Sequence, residues 1–127
     1  MKKLREDLQA VTDLCLEDYN LPSFPVKIKS VQRGRCNRKS ITLPSYLAYH
    51  HEAYQIYYAV HEATHKITGC GHGRHFKHIE DLLLEKFGIK IERKKTYPGS
   101  IWLDGRLIIE NDTYTAQGQK EIGKLPK

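Results

Sequence analysis

The segment Ala53-Tyr54-Gln55-Ile56-Tyr57-Tyr58-Ala59-Val60-His61-Glu62-Ala63-Thr64-His65-Lys66-Ile67-Thr68-Gly69 decides how the rest of the chain is read. Ala53, Ile56, Tyr57, Val60, Ala63, Thr64 and Ile67 recur with the period of one buried helix face. Gly69 and Gly71 end that helix, because glycine accepts the left-handed backbone found just past a helix terminus.

Within the helix, His61-Glu62-Ala63-Thr64-His65 forms an HExxH pattern. Residues four apart stack one turn above the other, so two imidazoles can reach a single ion from the same face. Zinc accepts imidazole nitrogen readily, and a catalytic zinc site uses three protein ligands and keeps one position open. Glu62 is rotated about 100° from His61 around the helix. Its carboxylate is then placed to take a proton from water activated by the metal. His51-Glu52-Ala53-Tyr54-Gln55 repeats only half of the pattern, with Gln55 where the second ligand should stand.

All seven histidines fall between His50 and His78. His72 is the expected third ligand, since Thr68-Gly69-Cys70-Gly71 can turn the chain back toward the first two. His75, His78 and Glu80 on the following helix are rivals, and Cys70, a conceivable ligand, comes too early in the turn to reach back easily. The simpler reading of His75 and His78 is as surface or supporting residues, and of His50 and His51 as helix-start residues. Tyr54 and Tyr58 share a face with His61 and His65 and read as core rather than as substrate contacts.

Outward from this helix, residues 1–20 carry Leu4, Leu8, Val11 and Leu14 or Cys15 at helical spacing. Pro22 and Pro25 cannot continue that helix. Residues 26–31 alternate like a half-buried strand, and 40–43 form a second strand stopped by Pro44. With Gly34 and Asn37 between them, the two are expected to pair as a hairpin. A helix from about Gly73 turns Phe76, Ile79, Leu83 and Phe87 inward. Residues 89–93 alternate as a strand, and 101–103 and 107–109 flank Asp104-Gly105, a strong hairpin signal. The expected fold is α+β, with a small sheet, the HExxH helix and a C-terminal β-hairpin. One domain over 1–115 and a loose tail over 116–127 complete the reading.

At 127 residues the chain has room for one modest core. Its apolar runs, such as Leu82-Leu83-Leu84, are too short to cross a bilayer, so no membrane partner is expected. The N-terminal residues lack the apolar stretch of a secretory signal. Cys15, Cys36 and Cys70 are odd in number and form no CxxC pair, so neither a disulfide framework nor a zinc ribbon is indicated and a cytoplasmic setting is the expectation. The formal charge is +6, concentrated at 27–39 and 90–95. Such stretches attract polyanions, DNA included, through counterion release, or else form a solvated basic face.

The stretch 26–91 resembles the minimal zincin domain of SprT-like metalloproteases, the family that includes Spartan, and the related Wss1-type and YgjP-type proteins. The resemblance rests on a strand pair (26–31 and 40–43), the helix with His61, Glu62 and His65, and then His72-Gly73-Arg74-His75-Phe76 in the HGxxF arrangement. It implies zinc on His61, His65 and His72, with Glu62 as catalytic acid/base. It further implies a peptidase acting on proteins, in the best-known members proteins bound to DNA. Two departures stand out: the gap from His65 to His72 is shorter than in Spartan-type members, and a Trp102 hairpin replaces the cysteine-rich ribbon. The rival expectation is a zinc-stabilised nucleic-acid-binding module without catalysis. Glu62 separates the two, because a purely structural site needs no carboxylate between its histidines.

Overall fold

The computed structural model describes residues 2–36, 39–69 and 71–122. Among these the chain is α+β, with four α-helices and two small sheets. Helix α1 (Lys2–Glu17) buries Leu8, Val11, Thr12, Cys15 and Leu16. Cys15 rather than Leu14 continues the inward face, leaving Leu14 exposed. Burial pushes the Cys15 thiol up to about 12, so it behaves as a small apolar side chain.

The first sheet holds β1 (Val26–Lys29), β2 (Arg35–Cys36) and β3 (Ile41–Pro44), with β3 in the centre. The expected hairpin of residues 26–31 with 40–43 does not form. β1 runs parallel to β3, Val26 facing Ile41 and Ile28 facing Leu43. The antiparallel partner of β3 is β2 on its other edge, with Cys36 opposite Ile41. The burial pattern gives the reason. All four residues of β3 are buried, whereas β1 alternates between buried and exposed. A fully buried strand needs a partner on each edge to satisfy its backbone, and the segment after β1 crosses over to supply one.

A short 3-10 turn (Ser45–Tyr49) leads into α2 (Glu52–Thr68). His51 caps α2, its Nδ1 accepting from the Ala53 amide at 2.9 Å. Gly69 closes the helix with φ of 104°, and its amide donates to the His65 carbonyl at 2.8 Å. Packed by α1, both sheets and α3 (Arg74–Glu85), α2 is buried over the unbroken run from Tyr57 to Thr64.

The second sheet is an antiparallel meander of β4 (Ile89–Lys94), β5 (Tyr97–Leu103), β6 (Arg106–Glu110) and β7 (Thr113–Tyr114). Asp104-Gly105 makes the expected tight turn between β5 and β6. Residues 116–122, expected as part of a loose tail, form helix α4 (Ala116–Ile122) on β6. Thr115 caps it, accepting from the Gly118 amide at 3.0 Å. Glu121 then reaches Arg106 at 2.9 Å and the buried His51 at 2.7 Å, tying α4 to the start of α2. No helix among the described residues is long and apolar enough to cross a membrane.

Glu121→Gln should destabilise the fold by about 1–2 kcal/mol, the worth of a partly exposed charge-assisted hydrogen bond. Arg106, then Gln117 and His51, hold the Glu121 carboxyl well below the usual carboxylate range. A depressed native value means its contribution is complete above the ordinary 4.5 and fades as pH falls further. Denaturant midpoints of wild type and variant should therefore differ at pH 7 and converge in strong acid.

Candidate metal centre

His61 and His65 come from adjacent turns of α2, and His72 from the residues just before α3. One ring nitrogen from each lies within 4.8 Å of the others. The three rings pack around Phe76, whose centroid is 5.0, 4.7 and 5.0 Å from those of His61, His65 and His72. Phe76 is the first buried residue of α3 and acts as the floor that holds the imidazoles apart from the core.

Second contacts orient the two helix histidines. His61 is 2 % exposed, and its Nδ1 lies 2.7 Å from Glu80 Oε2 and 3.2 Å from the Tyr57 hydroxyl. His65 Nδ1 lies 2.8 Å from the Gly69 carbonyl. A carboxylate and a carbonyl both accept, so each Nδ1 carries the proton and each Nε2 keeps its lone pair. The Nε2 atom of His72 is buried with no hydrogen-bond partner. An unpartnered buried nitrogen beside two others is costly unless something is bound there. Burial, first of all, holds His65 and His72 below the ordinary histidine value, favouring the neutral ring that metals bind. By donor type, number and separation, the cluster suits a divalent transition metal such as zinc, with small ring rotations bringing the three nitrogens onto one ion.

Glu62 is 6 % exposed, and burial lifts its carboxyl to about 7. The loop before β2 lies against it. A Cβ added at Gly34 would sit 2.7 Å from the Tyr58 ring, 2.9 Å from the Thr42 carbonyl and 3.5 Å from Glu62 Cγ. Glycine is needed for that approach, and the Gly34 amide is fixed by donating to the Tyr58 hydroxyl at 2.9 Å. Val31 to Gly34 also line an open cleft of about 470 Å³.

The structure thus brings together His61, His65 and His72 and leaves His75, His78 and Glu80 out of the cluster. His75 and His78 are exposed on α3 and do not belong to the cluster. Glu80 is fully buried behind His61, with its two oxygens on His61 and Arg93 rather than in the cluster. Cys70 lies outside the described residues. His51 is the α2 cap, and His50 Nδ1 pairs with the Tyr114 hydroxyl at 2.8 Å. Tyr58 is buried and Tyr54 half-buried, as core residues are.

Tyr97, at the start of β5, was not singled out by sequence. The residue is 49 % exposed, yet its ring centroid lies 5.4 Å from that of His61 and 6.2 Å from that of His72. No local signal marks it, because the β4–β5 turn reaches the site only through tertiary packing.

The chain matches no protein-family model, no curated protein and no solved structure. The site is therefore read from its own chemistry. His72→Ala should lower bound zinc to well under half of the wild-type content after dialysis, measured by atomic emission. His75→Ala and His78→Ala should leave it unchanged.

Proposed function

We propose that this chain is a zinc-dependent metallopeptidase of the SprT-like, minimal-zincin kind. The observation that carries the reading is the convergence of His61, His65 and His72 with Glu62 buried on the same turn of α2. A structural metal site has no use for a buried carboxylate next to its ligands, whereas hydrolysis does. The HGxxF arrangement adds support, since its aromatic, Phe76, is buried and packs on all three histidines.

Zinc bound by the three histidines supplies Lewis acidity for the carbonyl and a lowered pKa for water. Glu62 accepts the proton of the attacking water and returns it to the leaving amine. Gly34, held by the Tyr58 hydroxyl, packs beside the stem of Glu62. The exposed Tyr97 lies beside the His61 and His72 rings and is available to contact a substrate.

Action on DNA-associated proteins is the further extension of this reading, and the basic stretches support it unevenly. Within 90–95, Arg93 pairs with Glu80 and Asp81, and Lys94 lies 3.5 Å from Asp112. Lys90 and Lys95 remain exposed. Binding to duplex DNA should accordingly be weak and lost steeply with salt, with no dependence on sequence. A fluorescence anisotropy titration at low salt that shows no binding removes this extension and leaves the peptidase reading standing.

Glu62→Gln preserves size and helix propensity and removes the proton acceptor. Zinc content and melting temperature should stay near wild type. Cleavage of an unfolded protein, assayed with and without DNA, should fall by about two to four orders of magnitude. Equal cleavage by the two proteins would sink the enzyme assignment.

A further inference from the structure

Glu80 is a buried carboxylate with no role among the metal donors. Its side chain is fully inaccessible, and each oxygen has a separate partner. Oε2 accepts from His61 Nδ1 at 2.7 Å, and Oε1 accepts from the Arg93 guanidinium at 2.8 Å. Arg93 comes from β4 in the second sheet, and the same terminal nitrogen also reaches Asp81 at 2.8 Å and the Lys77 carbonyl at 3.3 Å. The line from His61 through Glu80 to Arg93 thus joins α2, α3 and β4.

Two roles for Glu80 compete. As a purely structural ion pair it would stabilise α3 on β4 and nothing more, and buried pairs of that kind are often neutral in net energy. As a positioning group it would fix the His61 ring and its proton, leaving Nε2 aimed at the cluster. The geometry favours the second role. The shortest contact Glu80 accepts comes from a histidine of the cluster, while Asp81, the exposed neighbour on α3, already offers Arg93 a carboxylate. A structural pair alone would not require a second carboxylate to be buried for the same arginine.

We propose that Glu80 and Arg93 are a positioning pair for the metal centre, so that the second sheet sets how tightly His61 holds the ion. Arg93 locks the carboxylate by its far oxygen, and the near oxygen locks the imidazole. The proposal rests on the metal-centre reading and extends it to Arg93, 32 residues beyond His61 in the sequence.

The test is zinc affinity by competition with a chromogenic chelator, set beside the melting temperature of each metal-free protein. Glu80→Leu, which removes the acceptor, should weaken zinc binding by about 10–100-fold, the usual worth of a ligand's supporting contact. Glu80→Gln, which keeps one acceptor oxygen, should lose less. Arg93→Met should lose several-fold, by about 3–10-fold, and carries the test if the Glu80 variants do not fold. Asp81→Asn disturbs the same arginine without touching Glu80 and should leave zinc affinity within about twofold. In the metal-free protein at mildly alkaline pH, nitrogen NMR should place the His61 proton on Nδ1 in wild type and move it toward Nε2 in Glu80→Leu. Variants that lose melting temperature but keep wild-type zinc affinity and the same proton position would overturn the pairing. A wild-type protein that binds no zinc would instead overturn the metal-centre reading beneath it.

Discussion

A polar turn of helix lies in the middle of the core, and the rest of the architecture answers to it. His61 and Glu62 are 2 % and 6 % exposed on a helix whose neighbours Ala59, Val60 and Ala63 are fully buried. Burying such groups costs several kcal/mol unless each finds a partner. The partners come from every direction. α3 supplies Glu80 to His61 and β4 supplies Arg93 to Glu80, while the Gly34 backbone packs beside the stem of Glu62. The fold therefore reads as a set of elements gathered around one chemically expensive turn.

The same logic explains why α2 is buried over so long a run. A helix with one apolar stripe can rest on a single layer, but α2 has α1, α3 and two sheets around it. The aromatic side chains fill the joints. Tyr57 is buried against His61, and Tyr54 packs against both Tyr57 and Tyr58, with ring centroids 6.1 and 6.0 Å away. At the far end His51 caps the helix and takes hold of Glu121, so α4 secures the terminus opposite the histidine cluster.

Local pattern made much of this legible in the sequence. The α2 stripe, its glycine stop, the inward face of α3 and the Asp104-Gly105 turn all depend on residues close together in the chain, and each was read from them. His61, His65 and His72 were legible for the same reason, being separated by one helical turn and one short loop. What depends on distant partners was not. The choice of β2 over β1 as the antiparallel neighbour of β3 is made by the burial of β3 on both edges. α4 has few apolar residues and owes its place to the Thr115 cap and the Glu121 contacts. Glu80 was read as a rival ligand because its position on α3 suits one; only the packing of α3 on α2 turns it onto the back of His61. Tyr97 reaches the cluster from a sheet that the HExxH pattern says nothing about.

The central claim is that three imidazoles and an adjacent carboxylate form one metal site. X-ray absorption at the zinc edge of the loaded protein measures the ligand shell directly. Three histidine nitrogens and one oxygen donor at about 2.0 Å, with the multiple-scattering signature of imidazole, is the expected result. A sulfur donor at about 2.3 Å, or a shell with fewer than three imidazoles, would contradict it by bringing in Cys70 or a carboxylate in place of His72.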